Sequence, residues 1–192
     1  MTGNLLIAGV GNIFLGDDGF GVEVASRLTA AELPDWVRVA DYGISGMHLA
    51  YDLADGYSSA ILVDATARGG APGTIYLIEP DLTAADSQAA AGEDVAPGAG
   101  PLFNAHGMQP DVVFGMLGML DAREREVLVV GCEPASVDYG IGLSEPVAAA
   151  VDEAVGVVLD LVARAARSDD HQLTTREWST TKEWPYVPWH PR

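Results

Sequence analysis

The sequence Gly9-Val-Gly-Asn-Ile-Phe-Leu-Gly-Asp-Asp-Gly-Phe-Gly21 follows the apolar run Leu5 to Ala8 and leads into a helical pattern of apolar residues. It predicts a strand, a glycine-rich loop and a helix, which together form the basic unit of an α/β fold. Glycine-rich loops before a helix often bind phosphate, because free N–H groups and the helix dipole attract anions. This loop carries Asp17 and Asp18, whose negative charges would repel a phosphate. The loop therefore indicates a site for a cation or a proton.

The glycine spacing also argues against a nucleotide site. The dinucleotide fingerprint needs Gly-x-Gly-x-x-Gly, but Phe14 stands where the third glycine would be. The loop also has no Walker lysine. The strand-loop-helix unit is therefore read as part of an α/β fold that does not bind nucleotides at this position.

Charge and composition limit the classes of partner. The 192 residues suit one domain, and 10 basic against 28 acidic residues give a formal net charge of -18. Such a charge argues against nucleic acid or an anionic membrane as a partner and favours a metal or a cationic segment. No apolar segment approaches the ~20 residues of a membrane helix. Cys132 is the single cysteine, which excludes an intramolecular disulfide, and we expect a cytoplasmic protein.

Apolar runs and helical patterns alternate along the chain. The predicted strands cover 5–10, 37–40, 60–63, 73–78 and 127–130, and the predicted helices cover 19–31, 47–53, 110–120 and 145–167. Only residues 65–72 separate the third strand from the fourth, whereas a parallel crossover needs about a dozen residues or more. We therefore expect the fourth strand to run antiparallel to the third. The pattern predicts an α/β fold with a mostly parallel, mixed five-stranded sheet between helices.

Two segments stand apart from this pattern. Residues 80–101 are rich in Ala, Gly, Asp and Pro and predict a long flexible insertion or lid. Residues 168–192 are polar and contain Trp178, Trp184 and Trp189, so we expect an α/β domain over 1–167 followed by a flexible tail. Tryptophan and proline are common in recognition segments, so the tail either docks on a partner or on the protein itself, or it is dispensable.

Four predicted loops place chemistry-bearing side chains at one edge of the sheet. Asp17 and Asp18 follow the first strand, Asp41 follows the second, Asp64 ends the third, and His106 precedes the third helix. Ligands of open α/β sheets lie outside the carboxyl ends of the parallel strands. Carboxylate oxygens and imidazole nitrogens suit Ni, Zn or Mn, so these residues predict a metal site.

Each candidate also has a structural alternative. Asp17 or Asp18 could cap the first helix, and Asp64 could accept a hydrogen bond from a loop amide. Cys132 follows a buried strand, so a packed thiol is favoured over a nucleophile that would work with His106. The segment from Gly43 to Met47 lacks the last glycine of a nucleophile elbow, which disfavours a serine hydrolase.

The chain resembles the nickel–iron hydrogenase maturation endopeptidases, which trim the C-terminus of the hydrogenase large subunit. The resemblance covers about residues 5–166. It is carried by the segment from Gly9 to Gly21, the loop Asp41-Tyr-Gly-Ile-Ser-Gly46, the segments Val63-Asp64-Ala65 and Ala71-Pro-Gly73, His106, and Gly131-Cys-Glu-Pro134 through Gly142-Leu-Ser144. It implies the fold class already predicted: α/β, with a twisted, mostly parallel, mixed five-stranded sheet between helices.

The resemblance also implies a function and its site. Asp18, Asp64 and His106 would be the nickel-contacting and catalytic residues, and the nickel would be supplied by the precursor of the large subunit. The enzyme would then remove the C-terminal extension of that precursor. Family members often have glutamate where this chain has Asp18, which is one methylene shorter. Tyr42 and Ile44 also depart from the family loop, which affects the choice of substrate.

Two rival functions follow from the same residues. One is a non-catalytic nickel-sensing or scaffold protein for hydrogenase assembly, which the Asp18 replacement supports. The other is a cysteine hydrolase that uses Cys132 and His106, for which Cys132→Ser would abolish activity.

Overall fold

The apolar runs of the sequence become neighbouring strands of one mixed sheet. The computed structural model describes residues 4–80, 126–168 and 173, together with the backbone of 186–188. The described strands are β1 Leu5–Val10, β2 Val37–Gly43, β3 Ser59–Ala65, β4 Ile75–Glu79, β5 Glu126–Cys132 and β6 Tyr186–Pro188. The described helices are a short 3₁₀ helix Gly16–Gly19, α1 Phe20–Leu28, α2 Gly46–Gly56 and α3 Glu145–Ala165.

The order of the described strands across the sheet is β2-β1-β3-β5-β4-β6. Strands β2, β1, β3 and β5 are parallel, and β4 pairs antiparallel with β5. This confirms the predicted α/β fold with a mostly parallel, mixed sheet. The fourth strand runs opposite to the third, as the short 65–72 connection requires. It bonds to β5 instead of β3, because β5 is inserted between them.

The structure adds a sixth strand that the sequence pattern did not predict. Strand β6 comes from the tail and pairs parallel with β4, Leu77 lying opposite Tyr186. Leu173, also in the tail, is buried against the core. A three-residue strand has too few residues to show an alternating pattern, and it forms here because β4 offers an open edge. Two pieces of the tail therefore lie against the sheet, while the boundary at residue 167 stays a prediction.

Both faces of the sheet are buried, as expected for parallel strands flanked by helices. Ile61 and Val63 of β3 point to the face covered by α1 and α3. Ala60 and Leu62 point to the opposite face, where Leu49 of α2 packs. Because both faces are covered, β3 reads in the sequence as a continuous apolar run.

Several element boundaries differ from the predicted ones. Strand β2 continues through Asp41 to Gly43, where the sequence predicted a loop, because it pairs with β1 along this stretch. Ser144 is at the N-cap position of α3, but its hydroxyl bonds to Asp17 instead of capping the helix. The predicted helix at 110–120 and insertion at 80–101 lie outside the described residues.

Close packing requires glycine at two positions, one in the loop after β1 and one in the first turn of α1. Gly11 has a φ of 131°, which side chains rarely adopt, and a Cβ atom there would overlap the carbonyl of Asp18. A Cβ atom on Gly21 of α1 would overlap the backbone oxygens of Val63 and Val10. The glycines therefore let α1 and the 3₁₀ helix press directly onto the ends of β1 and β3.

Replacing Gly21 tests this packing. We expect Gly21→Ala to destabilise the fold by about 3 kcal/mol, because the backbone atoms that the new methyl group meets cannot move aside. Gly156→Ala is the matched control, since Gly156 is an exposed residue of α3 with no atom near its Cβ position. This control should gain about 0.5–1 kcal/mol from helix propensity. Urea unfolding followed by circular dichroism measures both values, and a Gly21→Ala variant as stable as wild type would contradict the packing.

Candidate functional site

The carboxyl ends of the four parallel strands meet at one edge of the sheet, where their loops are tied together by backbone hydrogen bonds. The N–H of Gly11 donates to the carbonyl of Gly43 at 2.9 Å, which joins the ends of β1 and β2. The N–H of Thr66 donates to the carbonyl of Cys132 at 2.8 Å, which joins the ends of β3 and β5. Side chains on these loops are therefore held by a rigid backbone frame.

Asp18 is a half-buried carboxylate in the 3₁₀ helix that follows β1. Its Oδ2 accepts a hydrogen bond of 2.7 Å from the N–H of Asn12. Desolvation by burial raises the pKa of Asp18, and the hydrogen bond from Asn12 opposes this shift only in part. The carboxylate thus has one strong donor and lies in a site that disfavours its charge.

Asp64 is a buried carboxylate at the end of β3, with 3% of its surface exposed. Desolvation raises its pKa well above the usual value, and the negative charge of Asp18 raises it further. The hydrogen bond from the backbone of Ala65 acts in the opposite direction. The structure therefore brings Asp64 and Asp18 close enough for their charges to repel each other.

This carboxylate pair suits a cation. A positive ion between two like charges offsets their repulsion, and carboxylate oxygens are ligands for divalent metals. Within residues 4–80 and 126–168 no group of three His, Cys, Asp or Glu side chains could hold a metal ion. His106, the third predicted ligand, lies outside the described residues. The described part of the site thus contains two of the three predicted ligands, Asp18 and Asp64, and their role as ligands stays a prediction.

Asp17, the neighbour of Asp18, joins two loops. Its Oδ2 accepts hydrogen bonds from the N–H groups of Ala135 and Ser136 at 2.8 and 3.1 Å. The N–H and hydroxyl of Ser144 donate to the same carboxylate at 2.6 and 2.9 Å. Burial raises the pKa of Asp17, but the hydrogen bonds outweigh it and the pKa lies below its usual value. Asp17 therefore holds the segment from residue 135 to residue 144 against the first loop.

Asp41 lies at the same edge but is exposed. Its Oδ1 accepts a 2.8 Å hydrogen bond from the N–H of Gly43, which closes a local turn at the end of β2. Asp41 therefore shapes the β2 loop next to Gly11.

Glu133 is a buried carboxylate that the motif reading did not single out. It accepts hydrogen bonds from the N–H groups of Arg68 and Gly69 at 2.7 and 3.1 Å, and from the hydroxyl of Tyr76 at 2.9 Å. Burial raises the pKa of Glu133, yet these donors together lower it below the usual value. The residue fixes the loop that follows Asp64. Its sequence signals were its position directly after the buried strand β5 and its place in the segment Gly131-Cys-Glu-Pro134, but neither indicated its hydrogen bonds.

Cys132 is fully buried at the end of β5. Desolvation, together with the charges of Asp17, Glu133 and Glu153, raises the pKa of Cys132 to about 12. A thiol of this kind stays protonated at neutral pH and cannot reach a substrate. The structure therefore supports the packed-thiol alternative and removes the nucleophile of the proposed cysteine hydrolase.

Comparison with known proteins agrees with this arrangement. The sequence pattern of the hydrogenase maturation protease family matches residues 22–161. The chain belongs to the hydrogenase maturation protease family. As in the family, its activity is that of a peptidase in hydrogenase maturation.

Relatives of this maturation protease include archaeal and bacterial proteins. A Methanocaldococcus jannaschii protein, whose assigned name is that of a hydrogenase maturation protease, is 38% identical over 160 residues, which cover 81% of this chain and 94% of that protein. The structure of the Escherichia coli hydrogenase maturating endopeptidase HybD is similar, with a TM-score of 0.64 and 27% identity over 84% of this chain and 93% of HybD. The hydrogenase 2 maturation peptidase of a Thaumarchaeota archaeon has a TM-score of 0.59 and 30% identity, covering 82% and 96% of the two chains.

One further expectation concerns location. None of the helices in the described ranges is long and apolar enough to cross a membrane. The predicted cytoplasmic location stays a prediction.

Asp17→Asn tests whether this carboxylate stabilises the fold. The amide keeps the size of the side chain but removes the negative charge that accepts four hydrogen bonds. We therefore expect the free energy of unfolding to fall by roughly 3 kcal/mol at pH 7. Because the folded-state pKa is lowered, this contribution is present above pH ~4 and disappears as the pH falls through the folded pKa. Urea unfolding at several pH values measures it. Asp41→Asn, at an exposed carboxylate, is the control, and a pH-independent difference between Asp17→Asn and wild type would contradict the interpretation.

Asp64→Asn should have the opposite effect on stability. Burial raises the pKa of Asp64 in the folded state, so the protonated carboxyl group of Asp64 favours folding. This contribution to stability is lost as the pH rises through the folded pKa. In metal-free protein the variant should therefore unfold at a higher temperature than wild type at pH 8, by about 3 °C if ~1 kcal/mol of desolvation cost and charge repulsion is removed. The difference should vanish in acid. Thermal scans in the presence of EDTA measure it, with Asp55→Asn on the surface of α2 as the control. A variant less stable than wild type at pH 8 would contradict the raised pKa of Asp64.

Proposed function

We propose that this protein is an endopeptidase that recognises nickel in the immature large subunit of a nickel–iron hydrogenase and removes the C-terminal extension of that precursor. The observation that carries the proposal is the pair of desolvated carboxylates, Asp18 and Asp64, on neighbouring loops of a maturation-protease fold, where the charge of Asp18 helps to raise the pKa of Asp64. Such a pair can hold a cation as well as a proton, and the substrate of this reaction would bring a cation.

Asp18, Asp64 and His106 are the residues proposed to contact the nickel of the precursor. Two carboxylate oxygens and an imidazole nitrogen form a donor set that suits nickel. Nickel held there would polarise the scissile carbonyl or lower the pKa of an attacking water. In this proposal the metal belongs to the substrate, so a precursor without nickel leaves the two carboxylates repelling each other and the site incomplete.

The surrounding residues position this pair. Asp17 anchors the loop that carries Asp18, and Glu133 anchors the loop that follows Asp64. Both anchors have all their oxygens engaged by donors, which leaves Asp18 and Asp64 as the carboxylates suited to the metal. Asp18 is shorter than the glutamate that family members often have at this position. Its Oδ2 accepts a hydrogen bond from the N–H of Asn12, so the backbone of the loop sets the position of this oxygen.

A cleavage assay tests the proposal. Nickel-loaded and nickel-free precursor of a nickel–iron hydrogenase large subunit are each incubated with wild type, Asp18→Ala, Asp64→Ala and His106→Ala, and the products are weighed by mass spectrometry. We expect wild type to shorten the nickel-loaded precursor only, and each variant to be slower by roughly 100-fold or more. Asp18→Glu should retain processing, since it keeps the carboxylate, and Asp55→Ala serves as a surface control.

Three outcomes would contradict parts of the proposal. Equal cleavage of nickel-free precursor would remove nickel recognition. Undiminished cleavage by Asp64→Ala and His106→Ala would remove the proposed site. A precursor that binds wild type but is never shortened would favour the scaffold alternative.

A further inference from the structure

Five large apolar side chains are exposed on the two loops next to the carboxylate pair. Ile13 and Phe14 lie on the loop after β1 and are 47% and 58% exposed. Val137, Tyr139 and Ile141 lie on the loop after β5, and Tyr139 and Ile141 are 94% and 83% exposed. We name these five residues the apolar loop surface. Single exposed apolar residues are ordinary, whereas a group of this size on two adjoining loops marks a binding surface.

The apolar loop surface is held in place by hydrogen bonds. The N–H of Gly16 donates to the carbonyl of Gly140, and the N–H of Gly140 donates to the carbonyl of Phe14, both at 3.0 Å. The N–H of Asp17 donates to the carbonyl of Ser136 at 3.1 Å. The carboxylate of Asp17 adds its own bonds to the same segment. Because the backbone is already ordered, a partner that binds here loses little conformational entropy of the loops.

A groove of about 370 Å³ continues this surface between α1 and α3. Its lining includes Ile13 and Ile141 together with the apolar side chains of Val22, Leu143 and Val151. Its size suits a few apolar side chains of a partner. The surface therefore combines exposed apolar side chains, which can insert into a partner, with a groove that can hold apolar side chains of that partner.

The charges around the groove indicate what kind of segment fits. Glu23 lines the groove, and the exposed residues Asp152 and Asp138 lie next to the lining residues Arg27 and Gly16. Arg27 also lines the groove, but it forms ion pairs with Glu23 at 3.3 Å and with Asp152. The rim is therefore acidic, in a protein whose formal charge is -18. Complementarity calls for an apolar segment flanked by lysine or arginine.

Part of the apolar loop surface lies on the same loop as Asp18. Asn12, one residue before Ile13, donates its N–H to Asp18, and its side-chain oxygen accepts the N–H of Phe14 at 3.0 Å. A protein bound to Phe14 and Tyr139 would therefore lie directly beside Asp18. This position suits a substrate, because the scissile segment of a substrate must reach Asp18 and Asp64.

We propose that the apolar loop surface and the adjoining groove are the docking site for the hydrogenase large-subunit precursor, through an apolar segment of it flanked by basic residues. This inference rests on the proposed function for the identity of the partner. The surface contributes affinity and selection of the precursor, while Asp18 and Asp64 act on the bond that is cut.

The double variant Tyr139→Ser/Ile141→Ser tests this inference. Both side chains are exposed, so the melting temperature should stay close to that of wild type. The dissociation constant and the KM for nickel-loaded precursor should rise about tenfold or more, which corresponds to losing one strong interface anchor. The value of kcat should change less than about twofold, since no reacting group is touched. Tyr51→Ser, at a 56% exposed tyrosine on α2, is the matched control and should leave both constants unchanged.

Binding is followed by biolayer interferometry and processing by mass spectrometry, so the two proposals can fail separately. A wild type that binds but does not cleave, with binding lost in the double variant, would overturn the proposed function and support the docking site. Cleavage by the double variant with an unchanged KM would overturn the docking site alone. An equal loss in Tyr51→Ser would also overturn it.

Two further measurements examine the nature of the partner. The association rate should fall as NaCl is raised, because an acidic rim attracts a basic segment, and a salt-independent rate would overturn the basic character of the segment. Light scattering of the protein without precursor reports self-association. Dimers of wild type that dissociate in Tyr139→Ser/Ile141→Ser would assign the surface to a second copy of this chain and overturn the docking site.

Discussion

The carboxylate of Asp17 is the interaction on which the arrangement of the site depends. It is buried, and four hydrogen bonds from Ala135, Ser136 and Ser144 converge on it. These bonds join the loop after β1 to the loop after β5 and reach the start of α3. An unpaired buried carboxylate would be strongly destabilising, whereas one with several charge-assisted bonds holds its neighbours firmly. The position of Asp18 and the order of the apolar loop surface both follow from this connection.

Two adjacent aspartates therefore have different physical roles. Asp17 receives enough donors to keep its pKa low, so its charge is stabilised by the protein itself. Asp18 has one backbone donor and is partly desolvated, so its pKa is raised, and its negative charge in turn helps to raise the pKa of Asp64. The same contrast separates Glu133, which is fully engaged by donors, from Asp64, which is not stabilised to that extent. Carboxylates whose charges are satisfied by donors support the loops, whereas Asp18 and Asp64 are the two whose charges the described residues do not satisfy to that extent.

Much of the fold was predictable, because the spacing of apolar residues in a short segment shows which of its faces is buried. The strand and helix of the first unit, the apolar strand β3 and the direction of β4 all follow from short stretches of sequence. The neighbour of β4 was not predictable in this way, because hydrogen bonding between strands depends on where the later strand β5 inserts. Strand β6 was missed because three residues show no period. Glu133 was missed because a lone glutamate after a strand carries no signal of the three donors that fold back onto it.

The sequence by itself determined the α/β class, the acidic loop between Gly9 and Gly21, and the membership of the family through the order of its motifs. The tertiary structure decided which of the two aspartates anchors the loops and which faces Asp64. It also decided that Cys132 is buried and that Tyr139 and Ile141 are exposed to solvent on the loop after β5. The physical reason is that the pKa of a carboxylate and the exposure of a side chain are set by atoms far away in the chain. Those atoms become neighbours only when the sheet and its loops are assembled.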